Sequence, residues 1–350
     1  MEALSLFDAD LRPAVSAHAP AVPGVRGVPG TPVPVPARVA GAPRASVLLA
    51  IDGNSLAHRA FHAYQGAGAL RGFCALVAAV ADRVGPDATV VGFDSTARSV
   101  RRERWPRYKA QRPPKEAALE AFIAAAGALL RELGVAVESV DGWEADDVLA
   151  SAAAAAEAGG WRCVLATSDR DAYAQVSEAT TVLRLRSGLD QALEVTPGRL
   201  RVEVGVDAGQ YVEFAALRGD VSDNLDGIPG VGPTRAAALL ATYPTVAAAV
   251  TDPIGCRSVL GRSVGQALLD DLADPTTSRF LRNVMLMTTR RDLAVDLAAC
   301  RRRVSPARIE RVLRARGLSE VAGRMAIAVG ARPDRHPPPL TLDACRPVRP

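Results

Sequence analysis

The chain has 350 residues, of which 49% are hydrophobic and 23% charged, values typical of a soluble globular protein with two domains or one large domain with insertions. No apolar run approaches the roughly 18 to 20 residues that a membrane-spanning helix needs, which excludes a membrane protein. The five cysteines are scattered, odd in number and never spaced as CxxC, so they indicate a cytoplasmic protein without a disulfide framework or a zinc site.

Proline-rich composition marks both ends of the chain. Residues 1–44 are rich in Pro, Ala, Val and Gly without apolar periodicity, and residues 332–350 are similar. We expect a disordered arm and a disordered tail, because such segments bury too little apolar surface to offset the entropy of ordering. A start codon assigned too far upstream would explain the arm equally well.

Four short apolar runs predict the strands of a buried parallel sheet. They are SVLLAID from Ser46, ATVVGFD at 88–94, VAVESV at 135–140 and RCVLATSD at 162–169. Helical stretches lie between them, and strands that alternate with helices are typical of α/β proteins. We therefore predict an α/β sheet domain over residues 45–205.

The pattern changes at about residue 206, after which glycine turns separate stretches of helical periodicity. The predicted helices cover 209–220, 233–243, 264–273 and 307–316. Because no strand pattern comes between them, we predict a second, mostly helical domain over residues 206–331.

Acidic residues follow every predicted strand. They are Asp52, then Asp94, then Glu144, Asp146 and Asp147, and finally Asp169 and Asp171. Asp220 and Asp223 form one more pair, which would share a helix face if that stretch is helical. Because parallel strands end at one edge of an open sheet, these nine side chains are predicted to converge there.

Nine converging carboxylates repel one another and need counter-cations. Hard oxygen ligands suit Mg²⁺ or Mn²⁺, and two such ions about 4 Å apart can hold the attacking and leaving oxygens of a phosphodiester. The pattern therefore predicts phosphodiester hydrolysis. For any single acid, a role as a helix cap or turn residue is the alternative interpretation.

Positive charge is concentrated in residues 98–115, which we call the basic segment. It contains six arginines, both lysines of the chain and one glutamate, a net charge of +7, so the rest of the chain sums to −3 against a total of +4. Such a segment can bind a polyanion, although a solvated basic loop would have the same composition.

A glycine-rich turn precedes one of the predicted helices. Gly227, Gly230 and Gly232 lie in GIPGVG, and Pro233 takes the first helical position. Glycines let backbone N–H groups approach a phosphate at a helix N-terminus, as in helix-hairpin-helix DNA-binding motifs. The acid pair directly before the turn makes this pattern more specific than a bare glycine string.

Together these segments resemble the 5′→3′ nuclease domain of bacterial DNA polymerase I and the related flap endonucleases. The matching pieces, in the family's order, are IDGNSLAHRAFHA at 51–63, FDSTARSVRRERWPRYKAQR at 93–112, GWEADDVLAS at 142–151, TSDRDAY at 167–173 and GDVSDNLDGIPGVG at 219–232. The likeness covers about residues 46–310 and leaves no room for a polymerase domain, so a freestanding nuclease is expected.

The resemblance implies a PIN-like, mostly parallel sheet flanked by helices, with a helix-hairpin-helix-type motif in the helical region. It implies that the nine acids bind two Mg²⁺ or Mn²⁺ ions, that K⁺ binds at the glycine turn, and that a basic helical arch over about 98–120 passes a single-stranded 5′ end. Lys109 and Arg112 would be catalytic, acting at the scissile phosphate. The residues implied in DNA binding are Arg101, Tyr108, Gly227, Gly230, Gly232 and Arg235.

Two departures from the family pattern concern substrate recognition. YQGAGALR, at 64–71, is several residues shorter than is usual near the duplex, which bears on the choice among flap, nick and gap substrates. His58 stands where many relatives carry a tyrosine, so stacking on the terminal base is weaker or falls to Phe61. A plain polar helix residue is the alternative interpretation of His58.

The sequence thus predicts a divalent-metal-dependent 5′→3′ exonuclease and structure-specific flap endonuclease that hydrolyses DNA in replication and repair. DNA is the expected partner, a DNA polymerase is a further one, and the expected state is a cytoplasmic monomer. Two other interpretations stay open. A PIN-type endoribonuclease would lack the glycine turn and the long basic segment, and a DNA-junction binding protein that no longer cleaves would have lost cluster acids.

Overall fold

The computed structural model describes residues 45–64, 66–186 and 191–331. The arm and the tail predicted for residues 1–44 and 332–350 lie outside these ranges and stay predictions. Within the ranges, no helix is both long enough and apolar enough to cross a bilayer.

A six-stranded sheet forms the centre of the fold. Its strands are β1 (Val47–Asp52), β2 (Ala88–Gly92), β3 (Ala136–Glu138), β4 (Arg162–Thr167), β5 (Thr180–Arg184) and β6 (Leu193–Val195). They lie in the order β3-β2-β1-β4-β5-β6, and all neighbours are parallel except β5 and β6. The four predicted strands are confirmed, whereas β5 and β6 were not predicted because they are short and partly polar.

Alternate residues of β1 enter two different cores. Leu48 and Ala50 pack on one face of the sheet, and Leu49 and Ile51 pack on the other. Successive side chains of a strand point to opposite faces, and here both faces are covered. For this reason the central strands appear in the sequence as uninterrupted apolar runs.

Helices cover both faces of the sheet. Those before residue 206 are α1 (Gly53–Ala63), α2 (Ala67–Val84), α3 (Val100–Arg104), α4 (Ala117–Glu132), α5 (Ala145–Ala158) and α6 (Pro197–Val204). Those after it are α7 (Tyr211–Arg218), α8 (Pro233–Thr242), α9 (Val246–Val250), α10 (Pro253–Leu260), α11 (Arg262–Ala273), α12 (Arg279–Met287), α13 (Pro306–Ala315) and α14 (Ser319–Val329). The helices predicted in the second half of the chain correspond to α7, α8, α11 and α13.

The last two helices pack on the sheet layer rather than on the helices that precede them. α14 packs on α2 and α13 packs on α14, and Ile309 and Met325 share one core with Leu49 of β1 and Phe73 of α2. A single helical domain over 206–331 therefore does not describe the packing of these helices. Periodicity reveals that a helix has an apolar face, but not which element covers that face.

The other core continues from the sheet into the helices after residue 206. It contains Leu48 of β1, Leu149 of α5 and Phe214 of α7. The rings of Tyr173 and Tyr211 meet edge to face within it, with centroids 5.4 Å apart. The edge of the sheet where β4 ends is thereby joined to α7, which ends two residues before Asp220.

Candidate active site

Three parallel strands bring acids to the carboxyl edge of the sheet. Asp52 is the last residue of β1, and Asp94 and Asp169 follow β2 and β4 by two residues each. The Asp52 carboxylate accepts hydrogen bonds from Ser55 N and Thr167 Oγ1, both at 2.8 Å. This carboxylate is therefore fixed by the first turn of α1 and by the end of β4.

A cleft of about 770 Å³ opens at this edge. The predicted ligands that line it are Asp52, Asp169, Asp171 and Asp220. The other polar side chains on its walls are Ser55, His58, Arg112, Ser168, Arg170, Arg218 and Ser222. The cleft thus combines carboxylates with cations and hydroxyl groups, as a site for a metal-bound phosphodiester would.

Burial and mutual repulsion raise the pKa values of acids around the cleft. Burial, together with Asp94 and Asp169, raises the pKa of Asp52 to about 6. Burial, together with Asp169, raises the pKa of Asp171 to about 8. The pKa of Asp146 at the start of α5 also lies well above its ordinary value, because of burial and of Asp169 and Asp52. A bound cation would favour the ionised form of each of these groups.

The nine predicted ligands fall into two groups. Five form no ion pair within the described residues, and we call them the open acids: Asp52, Asp146, Asp169, Asp171 and Asp220. The other four, the paired acids, each contact a cation of the basic segment. The N–O distances are 3.3 Å for Lys115–Asp94, 3.0 Å for Lys109–Glu144, 2.6 Å for Arg101–Asp147 and 2.5 Å for Arg112–Asp223.

The basic segment docks on the paired acids and is largely non-helical. α3 is its only helix, and turns and coil follow until α4 begins at Ala117. Lys109 N donates to Asp223 O, and Asn224 Nδ2 donates to Arg107 O at 2.7 Å. The structure therefore corrects the expectation of a helical arch over 98–120. Lys109 has φ 54°, a left-handed conformation that is uncommon for lysine.

Burial corrects the roles predicted for Arg101, Asp147 and Tyr108. Both Asp147 oxygens accept from the Arg101 guanidinium, and each accepts one further backbone N–H, from Glu144 or from Arg290. The lone pairs of Asp147 are thus occupied, which leaves no oxygen for a metal. Arg101 is 6% exposed and Tyr108 is 4% exposed, so neither presents a surface to DNA. Tyr108 instead donates its hydroxyl to Glu144 at 3.0 Å.

Asp220 and Asp223 do not share the face of an α-helix, as their spacing suggested. β7 (Gly219–Asp220) pairs antiparallel with β8 (Leu225–Asp226), and a 3₁₀ turn over Val221–Asp223 lies between them. The Asp220 carboxylate accepts from Ser222 N at 2.7 Å, which caps that turn. This geometry directs Asp220 to the cleft, while Asp223 is buried beneath Arg112.

The three glycines of the turn have different structural roles. A Cβ at Gly227 would lie 2.3 Å from the Arg218 carbonyl, so this glycine allows close backbone packing at the end of α7. Gly230 has φ 80°, and exposed Arg235 donates to its carbonyl oxygen at 2.8 Å. Gly232 is the N-cap of α8, and a Cβ there would meet no heavy atom within 4 Å. Gly232 therefore borders open space at a helix N-terminus, where an anion can approach.

Two arginines of the cleft were not predicted from the sequence. Arg170 and Arg218 line its walls, and within the described part of the chain neither forms an ion pair. Arg218 Nε donates to Gly219 O at 3.2 Å, and its guanidinium lies 5.7 Å from the Phe214 ring centroid. In the sequence, each of these arginines stands within two residues of an open acid, in SDRD at 168–171 and in LRGD at 217–220. This spacing is the feature by which they could have been found.

Of the two departures from the family pattern, one lies at the cleft. His58 lines it, and burial together with Lys115 and His62 lowers its pKa, so the imidazole is neutral at pH 7. α2 begins at Ala67, so the first turns of that helix form most of the 64–71 connection.

The donor set of the cleft fits a hard divalent cation. The open acids offer only carboxylate oxygens, which match the preference of Mg²⁺ and Mn²⁺. In the ranges that the structure describes, no three His, Cys, Asp or Glu side chains already surround a common point as a metal cage. An ion would therefore have to draw the carboxylates of the cleft together on binding.

Two family models and curated relatives named DNA polymerase I match the chain. Residues 47–203 match the 5′-3′ exonuclease N-terminal resolvase-like domain, and residues 206–307 match the 5′-3′ exonuclease C-terminal SAM fold. DNA polymerase I of Mycobacterium tuberculosis is 36% identical over 248 residues, which are 68% of this chain and 27% of that protein. The chain therefore spans about a quarter of the length of this relative.

Two solved structures from bacteriophage T5 share the fold. The T5 5′-exonuclease with bound zinc has a TM-score of 0.58 and 20% identity, over 79% of this chain and 99% of that one. The T5 D15 flap endonuclease, in a complex with DNA and metal ions, has a TM-score of 0.57 and 20% identity, over 81% and 99%. Since the two matched family models together cover most of the sequence, the chain belongs to the 5′-3′ exonuclease family.

Proposed function

We propose that this chain is a divalent-metal-dependent 5′→3′ exonuclease and structure-specific flap endonuclease that hydrolyses DNA in replication and repair. The observation that carries the proposal is the group of open acids at one sheet edge, beside a docked basic segment. The T5 structures with divalent metal ions and with DNA support the same chemistry here. The relatives named DNA polymerase I support a polymerase as a partner, and a cytoplasmic monomer stays a prediction.

The open acids are the residues that would hold two Mg²⁺ or Mn²⁺ ions. When bound, the ions would supply activation of the attacking water and neutralisation of charge on the phosphate. The chain orients the carboxylates beforehand: Asp52 is held by Ser55 N and Thr167 Oγ1, and Asp169 Oδ1 accepts from Asp171 N at 2.9 Å. These hydrogen bonds restrict the orientation of each carboxylate, and binding of an ion would then bring the carboxylates closer together.

Lys109 and Arg112 would contact the scissile phosphate. Arg112 lines the cleft and pairs with Asp223, and Lys109 Nζ lies 3.0 Å from Glu144 Oε2. Although burial lowers it, Glu144 and Asp223 raise the pKa of Lys109, so the ammonium group stays protonated at neutral pH. Each cation can exchange a carboxylate for a phosphate, since both anions offer the same kind of oxygen acceptor.

Duplex DNA would lie along the glycine turn and the start of α8. Gly232 borders open space there, and Arg235 is exposed beside it. Arg170 and Arg218 would add phosphate contacts on the cleft wall. Binding of K⁺ at the turn stays a prediction. The Gly230 carbonyl oxygen, one of the acceptors available there, already accepts from Arg235.

The deciding experiment uses end-labelled DNA and the purified chain. Flap, nicked, blunt and single-stranded substrates are incubated with Mg²⁺, Mn²⁺ or EDTA, and Asp169→Asn is prepared in parallel to exclude a contaminating nuclease. We expect cleavage near the 5′ end of the flap and nicked substrates, dependent on the metal and lost in the variant.

The same experiment distinguishes the alternatives. Metal-dependent cleavage of a matched RNA but not of the DNA would establish a PIN-type endoribonuclease. Tight binding of flap DNA without cleavage in either metal would establish a junction-binding protein. Cleavage that persists in EDTA would contradict the metal role assigned to the open acids.

A further inference from the structure

Arg101 and Asp147 form a buried ion pair for which the proposed mechanism has no use. The guanidinium donates to both Asp147 oxygens, at 2.6 and 2.8 Å, and its Nε donates to Leu286 O at 2.7 Å. Its Nη2 also lies 3.3 Å from Thr288 O. Arg101 thus joins three segments that are far apart in the sequence: α3, the first turn of α5 and the end of α12.

On the α5 side, the pair determines where the acid-bearing turn begins. Asp147 accepts the backbone N–H of Glu144 at 3.0 Å and so closes a capping box. Arg101 Nη1 lies 3.5 Å from the Glu144 carboxylate as well. Asp146, an open acid, lies between Glu144 and Asp147 in the sequence, so its position depends on the same turn.

On the other side, α12 holds the glycine turn. The fully buried Asn283 donates from Nδ2 to Ala216 O and Asp226 O, at 3.0 and 2.9 Å. Arg282 also donates to Asp226 O, at 3.1 Å. The middle of α12 is therefore tied to the residue before Gly227, and its C-terminal end is tied to Arg101.

Stability alone is a weak explanation for this arrangement. Removing two charges from water costs several kcal/mol per ion, and apolar pairs of similar volume are often as stable or more so. A bidentate guanidinium–carboxylate contact does fix distance and orientation, because both groups are planar and both bonds must form together. The geometry of the pair is thus better suited to alignment than to stabilisation.

We propose that Arg101 is a positioning residue that aligns the acids of α5 with the duplex-binding glycine turn. Through Asp147 it fixes Glu144 and Asp146, and through the carbonyls of Leu286 and Thr288 it fixes them relative to α12. The inference rests on the proposed nuclease function. It assigns Arg101 no contact with DNA or metal, contrary to the role that the family resemblance implied.

The test compares Arg101→Lys with the wild-type protein. Lysine keeps the charge but cannot form the bidentate contact with Asp147, so Asp146 should be less well placed for a metal ion. We expect the single-turnover rate on flap DNA to fall about 10- to 100-fold, as for residues that orient metal ligands elsewhere. The Mg²⁺ concentration for half-maximal rate should rise, while the dissociation constant for DNA in Ca²⁺ changes less than about twofold.

A matched control is available near the other end of α5. Arg291, in the segment after α12, pairs with Glu157 of α5 at 3.0 Å and is half exposed. Arg291→Lys should leave both the rate and the Mg²⁺ dependence unchanged. If Arg101 had a purely structural role, Arg101→Lys would lower the thermal midpoint of unfolding. The Mg²⁺ dependence of the rate, measured well below that midpoint, would then be unchanged.

A folded Arg101→Lys protein with the wild-type rate and Mg²⁺ dependence would overturn the inference. If that variant does not fold, Arg101→Met/Asp147→Leu, which removes both buried charges, is measured in the same way. Failure of both variants to fold would show that the ion pair is needed for folding, and this result would also overturn the inference. Absence of cleavage by the wild-type protein would instead reject the proposed function, and the inference with it.

Discussion

Under the basic segment, each acid contacts a lysine or an arginine, whereas the open acids in and around the cleft repel one another. Asp146 and Asp147 show the difference at adjacent positions. Asp147 is neutralised by Arg101, but burial, Asp169 and Asp52 raise the pKa of Asp146. Although burial raises it, Lys109 and Arg101 bring the pKa of Glu144 below its ordinary value. The charges of the paired acids are therefore balanced by cations of the chain itself, whereas the open acids would be stabilised by an external cation.

The largest expected effect comes from removing an open acid. Asp169→Ala should lower the cleavage rate by about 10³-fold or more, because metal ligands act mainly on the transition state. Binding of flap DNA in Ca²⁺ should persist. Single-turnover rates and dissociation constants measure the two effects, with Glu310→Gln on α13 as a control. A rate within tenfold of wild type would remove Asp169 from the metal site.

A smaller loss is expected from a cation that pairs with an acid. Lys109→Ala should lower the single-turnover rate by about 10²-fold, since it removes a charge that stabilises the phosphate in the transition state. Affinity for duplex DNA in Ca²⁺ should change little. If affinity falls and the rate does not, Lys109 binds substrate in the ground state instead.

The glycine turn should affect binding rather than rate. Gly232→Val fits the fold, since no heavy atom lies within 4 Å of the added Cβ, but it would obstruct a phosphate at the start of α8. We expect duplex affinity to fall about tenfold, a cost near 1.4 kcal/mol, with the rate restored at saturating DNA. Gly198→Val, at another open position in α6, is the control. A lower rate at saturation would place the turn in the chemistry.

The two unpredicted arginines of the cleft should contribute modestly to affinity. If Arg170 and Arg218 each contact one phosphate, then each alanine variant should lower the salt dependence of DNA binding by about one unit of slope. Arg324→Ala, at an exposed position on α14, should leave the slope unchanged. Unchanged slopes in both cleft variants would mean that these arginines neutralise open acids rather than bind DNA.

The smallest effect concerns stability without metal. Burial, together with Asp169, raises the pKa of Asp171 to about 8 from an ordinary value of 3.8, which the unfolded chain should keep. The stability that this group contributes is therefore present below about pH 4 and is lost as pH rises to about 8. In EDTA, the thermal midpoint should fall by a few degrees from pH 5 to pH 8, and Mg²⁺ should restore it. Asp171→Asn should flatten this dependence; an unchanged slope would contradict the pKa assigned to Asp171.

Local pattern was sufficient for much of the fold. The strand at 46–52 and the helix at 307–316 were predicted because a buried strand and an amphipathic helix each leave a periodic imprint on the sequence. Local pattern was insufficient where packing decides. It did not show that Ile309 and Met325 return to the core of β1, because periodicity gives an apolar face without naming its partner.

The sequence by itself determined that Asp52, Asp94 and Asp169 meet at one edge, because parallel strands joined by helices must end on the same side. Only the tertiary structure decided which acids are neutralised. Arg101 and Asp147 are 46 residues apart, and their contact depends on the end of α12, which accepts from Arg101, and on the segment after it, which donates to Asp147. Charge pairing is set by distance through space, so a list of acids at strand ends cannot separate the paired acids from the open ones.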